Sequence, residues 1–241
     1  MLFQVKRWML CAGAAAALLA NVPVGAATIN EIRIDHTGSD VNEFIELAGT
    51  ANESLEGLSI VVIGDGAAAL GSGVVERVFS LSGLSIPTDG HFLAAGTTDM
   101  PAYTGESVDL DLTPNTDIFE NGDTLTFFLV SGNTATAGTD LDTNDDGTFD
   151  STWFTAAVDS VSVLDDASEL PYSSTQVGPD GTNPPAAVSR FPTATGPWQF
   201  SSTSFASFDG DTPGTANTAI PEPAGLAAVG LVAALGLRRR R

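Results

Sequence analysis

The sequence predicts an all-β protein, and three observations carry that expectation. Short runs rich in Val, Ile, Phe and Thr recur along the middle of the chain, each bounded by Gly, Asp, Asn or Pro. No stretch between them keeps a helical period over three turns. The runs are apolar enough to build a packed core although the chain is strongly acidic. Many short strands with this spacing predict a sandwich or barrel.

The first 27 residues are set apart as a secretory signal peptide. Lys6 and Arg7 form its charged start, and Trp8 to Ala20 is an apolar stretch of 13 residues, short for a membrane span. Val24-Gly25-Ala26 offers small residues to a signal peptidase, with cleavage after Ala26 or Ala27. Cys11, the only cysteine, lies in this segment, so the exported part carries neither disulfide nor thiolate chemistry.

The expected strands follow in order: Thr28–Ile34, Asn42–Leu47, Leu58–Ile63, Val74–Leu81, His91–Ala95, Leu125–Val130 and Val158–Leu164. In the second, alternation offers Ile45 and Leu47 to a core, with Glu43 on their face and Glu46 on the other. One of these acids is expected to be partly buried and satisfied by backbone or by Arg33. Gly64-Asp65-Gly66 lacks the third glycine and the following helix of a nucleotide-binding fingerprint and reads as a turn. Met100 to Asn121 reads as an insertion, and residues 201–220, rich in Ser, Thr, Ala, Gly and Pro, as a linker.

The sharpest local motif is Asp142-Thr143-Asn144-Asp145-Asp146-Gly147-Thr148-Phe149-Asp150. Oxygen-bearing side chains of Asp142, Asn144, Asp146 and Asp150 fall at positions 1, 3, 5 and 9, Gly147 at 6, and the Thr148 carbonyl at 7. Calcium gathers hard oxygen ligands in such an order around a sharp glycine turn. Position 12 is Trp153, where an EF-hand has a bidentate Glu, so Asp140 or Asp159 is the candidate to complete the shell. The expected cofactor is a structural Ca2+; the competing reading is an acidic solvated turn.

Other chemistry is weakly supported. His36 and His91 stand alone without cysteines, no Gly-x-Ser-x-Gly elbow occurs, and Asn30, Glu31, Glu43 and Glu46 form a catalytic set only if a cleft brings them together. Trp153, Trp198, Tyr103 and Tyr172 are candidates for a sugar-stacking platform or, more simply, for core packing.

The end of the chain reads Ile220-Pro221-Glu222-Pro223, an apolar run Ala224 to Leu237, then Arg238, Arg239, Arg240 and Arg241. The prolines hold an extended segment, the run inserts into a bilayer, and the arginines stay on the cytoplasmic side. The run has 14 residues. At ~1.5 Å each it falls short of a hydrocarbon core ~30 Å thick unless arginines snorkel or the bilayer thins. Once both end segments are removed, three arginines (Arg33, Arg77, Arg190) face 29 acidic residues, a formal charge of −26. Such a surface repels phosphate backbones and excludes nucleic acid as a partner.

This tail resembles the PEP-CTERM sorting signal. The resemblance implies an exosortase-type processing enzyme as partner, transient insertion in the inner membrane, and a destination in the cell envelope or outside the cell in association with exopolysaccharide or biofilm. A second resemblance lies in residues 28–217. Ile29-Asn30-Glu31-Ile32, Asn42-Glu43-Phe44-Ile45-Glu46-Leu47, Leu55-Glu56-Gly57-Leu58, Leu84-Ser85-Ile86-Pro87 before Gly90-His91-Phe92-Leu93-Ala94, and Thr212-Pro213-Gly214-Thr215-Ala216-Asn217 follow one another as in bacterial lamin-tail domains. That family implies an immunoglobulin-like β-sandwich. The functional expectation is a non-enzymatic exported protein. The rivals are a calcium-dependent hydrolase of nuclease or phosphodiesterase type and a carbohydrate-binding module.

Overall fold

A computed structural model describes residues 26–219 except 39–40, 66–70, 97–99, 101–102, 104, 113–117, 121, 167 and 182. The expected signal peptide, as far as residue 25, and the expected sorting tail from residue 220 lie outside the described residues. These form eleven strands and no helix: β1 (Thr28–Arg33), β2 (Phe44–Ala48), β3 (Leu58–Gly64), β4 (Val74–Ser80), β5 (His91–Ala95), β6 (Leu110–Asp111), β7 (Leu125–Ser131), β8 (Ala156–Val163), β9 (Gln176–Val177), β10 (Ala187–Arg190) and β11 (Trp198–Ser202). One sheet runs β11-β10-β1-β2-β5-β6 and the other β4-β3-β7-β8-β9. The pairings are antiparallel apart from β5 with β6 and β8 with β9.

Alternation decides what each face does. Ile45, Leu47 and Phe92 from the first sheet meet Ile60, Val62, Phe127 and Leu129 from the second in the central core. The opposite faces are also covered. Phe44, Leu93 and Ala95 pack under Met100, with Tyr103 and Val108 against them, while Val61, Ile63, Phe128 and Val130 pack under Leu141 and Trp153 from the β7–β8 connection. Both sheets are therefore buried on two sides. This explains β2, where all five residues are inaccessible although one is a glutamate.

Three sequence expectations change. Strand β2 begins at Phe44 because Asn42 takes φ +66°, a conformation asparagine tolerates. The stretch from Met100 to Asn121 is integral where it is described: it supplies β6, and Ile118 and Phe119 enter the central core. Residues 201–217 are no linker. Ser201 and Ser202 end β11, and the chain beyond folds back across the outer face of the first sheet, ending at the buried Asn217.

Candidate functional site

The 142–150 loop sits within the β7–β8 connection that covers the second sheet. Asp142 is fully buried at its base. Its Oδ1 accepts from the Asp146 amide at 3.1 Å, and its Oδ2 accepts from the Gly147 amide and the Tyr172 hydroxyl, both at 2.7 Å. Burial works against the charged carboxylate, but the Tyr172 hydroxyl and the amides of residues 146–148 outweigh it and hold its pKa below the ordinary value. Gly147 takes φ +82°, the left-handed conformation that closes the turn. The other expected ligands are turned toward partners within the loop. Asp150 Oδ2 accepts from the Thr143 amide at 2.9 Å, Asn144 Nδ2 donates to Asp146 Oδ2 at 2.9 Å, and the Thr148 amide donates to Asp146 Oδ1. The carboxylates of Asp142, Asp146 and Asp150 are thus engaged by donors of the loop itself and, at Asp142, by the Tyr172 hydroxyl. Asp159 is elsewhere, bidentate on Arg190 at 3.0 Å and accepting from the Ile29 amide. Of the two completing residues expected, only Asp140 is near, accepting from the Asp142 amide. Position 12, Trp153, is a core residue, 3% exposed, so packing anchors the loop where an EF-hand uses a ligand.

The second assembly is a seam of buried polar groups between the first sheet and residues 205–217. Glu31 accepts from the Thr212 amide and hydroxyl, and Glu46 accepts from the Gly214 amide at 2.6 Å and from Asn30 Nδ2. His91 Nδ1 lies 3.1 Å from Glu46, which raises the imidazole pKa against the opposing effect of burial. Asn217 donates from its amide group to the carbonyls of Asn30 and Arg190. Burial, then the neighbouring Glu46, pushes the Glu31 carboxyl well above its ordinary pKa. Arg33 is not the partner of either expected glutamate. It pairs with Asp211, donates to the Ser207 and Phe205 carbonyls, and lies 4.3 Å over the Phe208 ring. Asn30, Glu31 and Glu46 are thus brought together, but under a covering segment that uses them as acceptors. Glu43 is apart, receiving the Ile118 and Phe119 amides.

The aromatic candidates do not make an exposed row. Trp153 and Tyr172 join Phe128, Phe149 and Phe154 under the β7–β8 connection, Tyr103 packs edge-on to Phe44 across the molecule, and Trp198 lies beneath Arg190. Among the described residues the sole large exposed hydrophobic is Phe191.

One acidic group was not singled out from the sequence. Oxygens of Asp65, Glu76 and Glu120 come within 4.8 Å of one another. Its signal was hidden because Gly64-Asp65 reads as a plain turn and Glu76 as an ordinary strand residue.

Compared with known proteins, the chain matches no family model, no curated protein and no solved structure.

Proposed function

We propose that this is a non-enzymatic exported protein of the cell envelope or extracellular matrix, a lamin-tail-like domain of immunoglobulin type delivered by a signal peptide and released by exosortase-type processing of its tail. The observation that carries the proposal is the order of parts after Asn217: Pro221-Glu222-Pro223, the apolar run 224–237, and Arg238 to Arg241. Asn217 is fixed by buried hydrogen bonds to β1 and β10. Four residue steps then reach Pro221, a span of roughly 14 Å. A folded domain on so short a leash would sit against the outer membrane surface with the PEP segment held in the gap, extended and open to a membrane peptidase. The domain's charge of −26 suits a hydrated, cation-rich or polysaccharide environment and not a nucleic-acid partner. Against a hydrolase stands the placement of Asn30, Glu31 and Glu46 beneath residues 205–217; against a carbohydrate-binding module stands the burial of the aromatics. Calcium belongs to the same proposal. Asp142, Asn144, Asp146, Asp150 and the Thr148 carbonyl would hold it after the Thr143–Asp150 bond opens, and it would pin the β7–β8 connection to the second sheet.

The experiment is expression in two hosts, one with an exosortase and one without, followed by fractionation. Released protein in the first and membrane-held protein in the second is the expected result; equal retention in both counts against the proposal.

The front end yields a separate prediction. The Ala27 nitrogen donates to Glu53 Oε1 at 2.8 Å, and the Ala27 side chain is buried. Cleavage after Ala26 turns that nitrogen into an ammonium facing a carboxylate already in place, whereas cleavage after Ala27 discards the pair. N-terminal sequencing of the exported protein should begin at Ala27; a start at Thr28 refutes this.

A further inference from the structure

We propose that Asp65, Glu76, Glu120 and Asp123 form a binding site for a hard divalent cation of the calcium class, where the β3–β4 hairpin meets the chain leading into β7. The site is independent of the 142–150 loop and shares no ligand with it.

The first three residues supply oxygens within 4.8 Å of one another. The second observation is Asp123, which is 4% exposed. Its Oδ2 accepts from the Asp65 amide at 2.6 Å, while its Oδ1 is buried with no hydrogen-bond partner. A carboxylate oxygen taken from water without a donor is costly, and native structures seldom leave one so. Acids surround this oxygen, and such surroundings attract a cation.

The backbone is shaped to bring these groups together. The β3–β4 register passes from Val62 opposite Arg77 to Ile63 opposite Val75, leaving Glu76 as the extra residue of a bulge. Bulges re-aim side chains and cluster near functional sites. Gly64 lies across from it. A β-carbon there would stand 2.4 Å from Glu76 Oε1 and 2.5 Å from Asp123 Oδ2, so the two carboxylates converge on the space that only glycine leaves open. Asp65, Asp123 and Glu169 also line an adjoining cavity of about 60 Å³, room for a water or two beside an ion.

Arg33 pairs with Asp211 and Arg190 with Asp159, so neither belongs to this group. The donor set is oxygen alone, without imidazole or thiolate, which selects hard cations over zinc or copper. Carboxylates from two separate loops, with space for water, suit the high and flexible coordination of calcium better than the strict octahedron of magnesium. Bound there, the ion would tie the β3–β4 hairpin, through Asp65 and Glu76, to the start of β7, through Glu120 and Asp123.

The test is isothermal titration of the full chain in detergent with calcium chloride, run beside thermal unfolding. The wild-type protein should bind calcium and unfold about 5–10 °C higher at a concentration a hundredfold above Kd. The Glu76→Gln plus Asp123→Asn protein should lose one equivalent, whereas Asp142→Asn plus Asp146→Asn, which removes the loop site, should leave that equivalent in place. Glu120→Gln changes an exposed side chain and keeps the fold, so it guards against loss by misfolding; it should weaken the same equivalent at least tenfold. Absence of calcium binding by the wild type, or unchanged stoichiometry and affinity in folded Glu76→Gln plus Asp123→Asn and Glu120→Gln proteins, overturns the site.

Discussion

Arg33→Ala is expected to destabilise the protein by about 3–5 kcal/mol, because it strands a buried acid without its counter-charge. Arg33 and Asp211 are both inaccessible, and burial pushes the Asp211 carboxyl above its ordinary pKa while Arg33 and the Tyr103 hydroxyl pull against that rise. Removing the guanidinium also frees the Ser207 and Phe205 carbonyls and the face of Phe208. These contacts all lie in the segment folded over the first sheet, so the loss should be local before it is global. Limited proteolysis should cut the variant between residues 203 and 211 under conditions that leave the wild type whole. Urea unfolding gives the magnitude. The double variant Arg33→Ala plus Asp211→Ala should be less destabilised than the sum of the two single changes, since it leaves no orphaned charge. Additive costs would show that the pair does not hold the segment.

Trp153→Ala should cost a similar ~3–5 kcal/mol by opening a cavity in a packed aromatic group. Trp153 meets Phe128 and Phe154 edge-on, with ring centroids 5.4 and 4.6 Å away, and packs edge-on to Phe149. Its backbone carbonyl receives the Thr134 amide and hydroxyl, while the side chain packs the connection that carries the 142–150 loop onto the second sheet. The indole Nε1 is buried without a partner. Trp153→Phe removes that unpaired donor along with some volume, and should be much milder than alanine. Phe191→Ala, at a residue 37% exposed, is the control and should change stability by under ~0.5 kcal/mol. Equal effects at the two positions would mean that the β7–β8 connection is not a structural cover.

Much of the fold could be read from residue pattern because seven strands carry dense runs of Val, Ile, Leu and Phe. Four strands could not. Strands β6 and β9 have two residues each, too few to show a period. Strand β10 reads Ala-Val-Ser-Arg and is specified by its partner β1, not by its own composition. The 203–217 segment was misread for a physical reason. Its Ser, Thr and Gly resemble a solvated linker, yet their polarity is what Glu31, Glu46 and Arg33 require of a covering chain. The loop at 142–150 stands out in the sequence because its oxygen-bearing residues lie within nine positions of one another. The Asp65, Glu76, Glu120 and Asp123 group was not, because a β-bulge and a side-chain-free Gly64 assemble it from segments far apart.

We propose that the tail after Asn217 is a sorting signal removed on the far side of the membrane. Four arginines resist transfer through hydrocarbon, at a cost of several kcal/mol each by some estimates, so the exported chain should stop with Pro221-Glu222-Pro223 at the outer surface. Intact-mass analysis of the released protein from an exosortase-bearing host tests this most directly. The expected mass is that of a chain starting at Ala27 and lacking roughly its last 20 residues. In a host without the enzyme, the membrane fraction should carry the tail complete. A released protein that still has Arg238 to Arg241 would contradict the claim.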